Sequence, residues 1–175
     1  MARHRHENKE SNMKQNVVDV LMYLFENIIT DDNPVFPEHE HMFDRLEDMG
    51  FPQHEIFLAF DWLEDLAELH ADQLISSNKE QAISPSSAVR VYSDLEKILL
   101  EPESISFLMQ LEQKMIISPV SREIILDRVI ALDVELELEQ LKWIMMIVLY
   151  SQPGEETAYA WMENLVFDSN LSYMQ

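Results

Sequence analysis

Cysteine is absent from the 175 residues, which removes disulfides, thiolate nucleophiles and Cys-ligated zinc from consideration. Glycine occurs only twice, as Gly50 and Gly154. A phosphate-cradling loop needs several glycines and a strand-rich fold needs many tight turns, so neither is expected. Long apolar runs are missing as well: the longest, Trp143 to Tyr150, has eight residues, against the ~20 that span a bilayer. Behind the polar N-terminus, Val17 to Ile29 is interrupted by Asp19, Glu26 and Asn27, which is unlike a signal-peptide core. The expectation is a cytoplasmic protein without membrane contact.

Positive charge is also scarce, with 12 Lys and Arg against 33 Asp and Glu for a formal net charge of -21. Arg3, Arg5, Lys9 and Lys14 face only Glu7 and Glu10 in the first fourteen residues, so that stretch carries +2 and the remainder -23. Such a balance repels phosphate backbones and favours basic partners or plain solubility.

What is present suits a globular helical protein. Hydrophobic residues make up 47% and charged residues 26%, and a chain of this length can bury roughly 70% of its unfolded surface. Residues 1–14 lack periodicity and read as a flexible arm. Residues 15–75 read as a three-helix unit. Its first helix carries Val17, Val18, Leu21, Leu24, Phe25 and Ile28 at helical spacing and stops before Asp31-Asp32-Asn33-Pro34. Its second runs from Glu38 to Met49 with Phe43 and Leu46 inward, and Gly50 supplies the positive φ that ends it. Its third is opened by Pro52 and runs to about Ala71, with Ile56, Ala59, Phe60, Leu63 and Ala67 as the buried stripe.

Residues 76–92 are the linker. Leu74-Ile75 and Val89 to Tyr92 have the β-branched and aromatic content of a short hairpin, a minor element at most. A C-terminal helical unit over 93–175 follows. Ser93 caps a short helix with Glu96 at the third position, Pro102 opens a helix to about Ile116, and Ser118-Pro119 opens one to Leu132. Asp133 to Glu139 is a connector into an acid-rich helix start at about Leu138, and Pro153-Gly154 turns the chain into a last helix from Glu155 to Phe167. The helix around Trp143 is apolar on nearly every side, so it is buried centrally or covered by a second subunit. A weak internal repeat sets Phe43 to Pro52 against Met109 to Pro119: helix, short turn, proline-started helix. The fold class is all-α, with two small helical units around a central apolar helix.

Leu46-Glu-Asp-Met49-Gly50-Phe51-Pro52 with Ile56, Ala59 and Leu63 resembles a ubiquitin-associated-type helical module. Five blocks in order, NVVDVLMYLFENI, AVRVYS, SREIILDRVIALD, LKWIMMIVLY and the Pro153-Gly154 turn, are similar to the bacterial Smg family over about residues 16–172. The resemblance implies a small cytoplasmic bacterial protein, encoded in some genomes near DNA-processing and topoisomerase-like genes. It carries no catalytic residue, cofactor or metal onto this chain.

Chemistry-bearing groups are few. His39 and His41 stand two apart on a helix and point to different sides, which is not a chelating pair. The carboxylates Asp61, Glu64, Asp65 and Glu68 lack a visible buried partner of the kind acid catalysis needs. Arg122-Glu123 and Asp127-Arg128 read as surface ion pairs. No nucleophile elbow, zinc helix or triad context occurs, so no catalytic residue is assigned. A winged-helix DNA reading finds the helix order it needs but would lay four carboxylates of Asp61 to Leu69 along phosphates. The leading expectation is a non-catalytic adaptor that contacts a basic protein or the protein part of a nucleic-acid machine. Its partner-binding residues are expected at Met49, Gly50, Phe51 and Trp62, since Met and aromatics anchor interfaces.

Overall fold

The computed structural model describes residues 16–30, 39–76 and 90–172. Over these residues the chain forms eight helices and no strand: α1 (Val17–Thr30), α2 (His39–Asp48), α3 (Gln53–Ser76), α4 (Asp94–Leu99), α5 (Pro102–Gln113), α6 (Pro119–Leu132), α7 (Leu138–Ser151) and α8 (Glu156–Ser172). The arm over 1–14 and the Asp31 to Pro34 turn lie outside the described residues, as does most of the 76–92 linker. The hairpin is not found where it can be checked. Leu74 and Ile75 continue α3, and Arg90 to Ser93 has no strand partner. The sole β feature among the described residues is one parallel bridge between Leu100 and Leu136, in which the Leu136 N–H donates to the Leu99 carbonyl at 2.8 Å.

Local chemistry explains where the helices begin. Asn16 caps α1: its Oδ1 accepts from the N–H groups of Val18 (3.0 Å) and Asp19 (3.2 Å), while Asp19 accepts from the Asn16 N–H at 3.0 Å. Ser93 and Glu96 form the same reciprocal box on α4. Ser118 Oγ accepts from the Ser121 N–H at 3.0 Å and opens α6 just ahead of Pro119.

The end of α2 is a Schellman turn. Gly50 sits at φ +93°, its N–H donates to the Glu47 carbonyl at 2.8 Å, and the Phe51 N–H donates to the Leu46 carbonyl at 3.1 Å. The end of α5 repeats this bond for bond. The Met115 N–H donates to Glu112 and the Ile116 N–H to Leu111, both at 2.9 Å, with Met115 at φ 56°. The two halves therefore share a helix–turn–helix device, and α5 stops at Gln113 rather than Ile116. A methionine in the left-handed region costs roughly 1–2 kcal/mol, partly offset in a glycine variant by unfolded-chain entropy. Met115 is 89% exposed and has little packing to lose. Met115→Gly is expected to raise the unfolding free energy by about 0.5–1 kcal/mol, seen as a higher urea midpoint at unchanged slope; a lower midpoint would contradict the turn geometry.

One hydrophobic core joins the described helices. Its centre is α7, where every residue from Leu141 to Leu149 is buried, and this helix packs against α1, α3, α5, α6 and α8. Central burial by the chain's own helices is thus the outcome for the apolar Trp143 helix. Val17, Val18, Val20, Leu21, Leu24 and Phe25 of α1 are all buried, and that burial, at about 1.5–3 kcal/mol for each larger side chain, outweighs the modest helix propensity of three valines. On α3 the buried line is Ile56, Ala59, Trp62 and Leu66, with Phe60 and Leu63 partly covered and Ala67 exposed. The expected stripe was thus rotated toward Leu63 and Ala67, because α3 must face α1 on one side and α6 and α7 on the other.

Candidate functional site

The four residues expected at a partner surface separate in the structure. Met49, beside the Schellman glycine, is 48% exposed, and Gly50 is exposed with it. Phe51 is half-buried, its ring 5.8 Å from that of Tyr23 on α1. Trp62 is a core residue, 4% exposed, and its indole N–H donates to the Arg128 carbonyl of α6 at 2.9 Å. Trp62 is corrected to a structural tie between α3 and α6: a buried indole needs an acceptor, and the α6 backbone supplies one. A more exposed aromatic of α3 is Phe57, 56% exposed, its ring 4.8 Å from that of Phe43 on α2 and tilted at 45° to it. An aromatic one residue beyond the buried Ile56 falls off the apolar stripe, and that anomaly is readable in the sequence.

The next turns of α3 carry a second feature. Asp61, Glu64, Asp65, Glu68 and Asp72 recur at intervals of three and four residues and are all exposed, so they form one acidic line along the helix. Among the described residues, Asp61, Glu64, Glu68 and Asp72 have no Lys or Arg within ion-pair distance, while Asp65 lies 3.7 Å from Arg128.

Most of the described cations are held by the chain's own carboxylates. Arg90 forks onto Glu96, with Nη1 to Oε2 at 2.9 Å and Nη2 to Oε1 at 2.6 Å, and onto Glu123 through Nε at 2.6 Å. Its guanidinium also lies 4.7 Å from the centre of the Tyr92 ring. Arg122 binds both carboxylate oxygens of Glu112 and reaches Glu123 at 2.7 Å. One network thus ties the 90–93 segment to α4, α5 and α6. Hydrogen bonds from Arg90 hold the Glu96 and Glu123 carboxyls below the usual carboxylate range, against the opposing pull of burial. Arg128, itself buried, binds Asp127 at 2.9 Å on one side and faces Asp65 of α3 on the other. Arg122 and Arg128 are therefore corrected from solvated surface pairs to ties between helices, because their long side chains lie along covered apolar surface. Lys97 and Lys142 pair with Asp94 and Glu139. Five of the seven described Lys and Arg side chains are spent on the chain's own carboxylates.

Glu155, in the turn before α8, accepts hydrogen bonds from Ser118 (3.3 Å) and Ser121 at the start of α6, where a carboxylate meets the positive end of the helix dipole. Tyr159, hydrogen-bonded to Glu163, has its hydroxyl pushed up to about 12 by burial and by that carboxylate. Among the described residues no group of three or more His, Asp or Glu is placed to hold a metal ion, and no helix is long and apolar enough to cross a membrane. A groove of about 360 Å³ opens between α3 and α6, lined by Leu69, Val120, Glu123, Ile124 and Asp127.

Comparison with known proteins agrees over nearly the whole chain. Residues 17–175 match a family described as "Protein of unknown function (DUF494)". The chain is 44% identical over 158 residues to the Smg homologue of Thioalkalivibrio sulfidiphilus, covering 90% of this chain and 96% of that one. It is 44% identical over 163 residues to the Smg homologue of Methylococcus capsulatus (93% and 99%) and 45% over 157 residues to that of Nitrosococcus oceani (89% and 96%). No solved structure matches.

Proposed function

This chain belongs to the Smg family, whose function is unknown, and from that premise we propose that it is a non-catalytic interaction protein of the cytoplasm, an adaptor whose acidic face receives a basic protein. One observation carries the reading: Arg90, Arg122 and Arg128 are turned inward onto Glu96, Glu112, Glu123 and Asp65, while Asp61, Glu64, Glu68 and Asp72 of α3 stand outward without counter-charges among the described residues. A helix meant for a DNA groove needs Lys and Arg to displace counterions, and α3 has neither on that line. An outward negative field speeds encounter with a basic surface and loses its reach as salt shortens the screening length. The exposed Phe57, one turn before Asp61 on α3, and Met49 in the turn after α2 add apolar side chains of the type that interfaces favour.

The test is affinity capture from a bacterial lysate at low and high salt, with nuclease treatment. Proteins that survive nuclease and leave with salt are the expected result. Recovery of nucleic acid alone would transfer the case to a DNA-associated role, and an empty capture at both salts would overturn the proposal.

A further inference from the structure

We infer that the groove between α3 and α6 seats a basic amphipathic helix of a partner protein, an assignment that rests on the interaction reading above and names its surface. The floor is apolar. Val120, 50% exposed, and Ile124 stand one turn apart on α6, opposite Leu69 of α3. The rims are acidic on both sides. Asp65 and Asp72 lie four residues before and three after Leu69, on its own face of α3, and Glu123 and Asp127 line the groove from α6.

The charges at these rims do not cancel. Arg128 answers both Asp65 and Asp127, leaving one surplus negative charge. Arg90 and Arg122 answer Glu96, Glu112 and Glu123, leaving another. Asp72 has no cation among the described residues and adds a third. An apolar floor between two helices, with negative rims, is the complement of a helix that carries Leu-type side chains at i, i+3, i+4 and i+7 and Lys or Arg beside them. Other occupants fit worse. A second copy carries the same formal net charge of -21 and is repelled on approach, and a phosphate backbone meets the same repulsion. A metal ion would have to displace arginines already bound to these carboxylates.

The experiment uses the full chain and a fluorescent peptide of about 18 residues, enough for five helical turns, with leucines on one stripe and lysines elsewhere; a second peptide of the same composition has its leucines scattered. Anisotropy titration is expected to show the striped peptide binding at least about tenfold tighter than the scattered one, and weakening about tenfold between about 50 and about 300 mM salt. Val120→Asn and Asp72→Lys, both at exposed positions, are each expected to weaken it about fivefold or more, and Asp72→Lys to flatten the salt dependence. Ile98→Asn, at an exposed apolar position of α4 outside the groove lining, is expected to leave it unchanged. Equal binding of both peptides, wild-type affinity in the two groove variants, or loss through Ile98→Asn would each overturn the assignment. The two readings fail separately. If Val120→Asn captures the same salt-sensitive proteins as wild type, the groove falls and the interaction role stands; if the striped peptide binds through Val120 and Asp72 while lysate capture stays empty, the groove stands and the interaction role falls.

Discussion

Ile144→Ala lowers the unfolding free energy by about 3 kcal/mol, within the usual range for truncating a fully buried isoleucine. Ile144 has no exposed surface and sits midway along α7. Because that helix packs against five others, its neighbours are held from several sides and cannot collapse into the space left by the lost atoms. The cavity term therefore adds to the transfer term. In a chain of this length the melting temperature falls by about 2–4 °C for each kcal/mol. The control is Ile98→Ala on α4, where the side chain is 64% exposed, expected to cost under about 0.5 kcal/mol. Urea unfolding at constant slope reads both. Equal losses at the two positions would contradict a core centred on α7.

Arg90→Met is expected to cost about 2–3 kcal/mol, below the roughly 3–5 kcal/mol of a fully buried broken pair because Arg90 and Glu123 are partly solvated. The loss falls on Glu96, whose side chain is 6% exposed and would keep its charge without a cation. Adding Glu96→Gln should recover part of the loss, since a glutamine oxygen can still accept from the Ser93 N–H and no buried charge is left over. Acid pH reveals the same pair. The folded Glu96 and Glu123 carboxyls titrate below the ordinary 4.5, chiefly through hydrogen bonds from Arg90. Their contribution is therefore complete above that value and disappears as pH falls through the lower folded values. Protonation also relieves the repulsion of a chain at -21, but this is common to both proteins and cancels in the difference. The gap between wild type and Arg90→Met should be widest above the ordinary carboxylate value of 4.5 and narrow as pH falls below it; a gap independent of pH would mean that Arg90 acts by packing alone.

Helix starts and stops were legible in the sequence because they are written in local chemistry. Ser93 with Glu96, Ser118 with Pro119, Gly50 and the Pro153-Gly154 turn each act within a few residues, and each boundary they imply lies within a residue or two of the structure. The apolar α7 was equally plain. The repeat, faint in sequence, is sharp in the backbone, since Leu46-Glu47 and Leu111-Glu112 accept the same pair of turn hydrogen bonds.

What the sequence concealed depends on distance along the chain. Arg90 and Glu123 are 33 positions apart, and Trp62 and Arg128 are 66 apart. No periodicity reveals that these arginines are inside the fold. Trp62 was misplaced for a related reason: a helix packed on two sides has no single apolar stripe, and its phase is set by neighbours that arrive later in the chain. The Met49 and Gly50 part of the candidate surface was legible, because a Schellman glycine must sit in a turn. The groove and the inward direction of Arg90, Arg122 and Arg128 were not. The acidic line of α3 was visible as composition, and it became a surface once Arg128 was seen to answer Asp65 alone among its carboxylates.

The most direct measurement is therefore a paired capture: wild-type protein and a variant carrying Asp61→Asn, Glu64→Gln, Glu68→Gln and Asp72→Asn, presented to the same nuclease-treated lysate at low salt and compared protein by protein. These side chains are exposed, so the variant should fold with a melting temperature near that of wild type. The account predicts that the basic proteins held by wild type are lost from the variant and that high salt removes the same set from wild type. Retention of an identical set by the folded variant would contradict it.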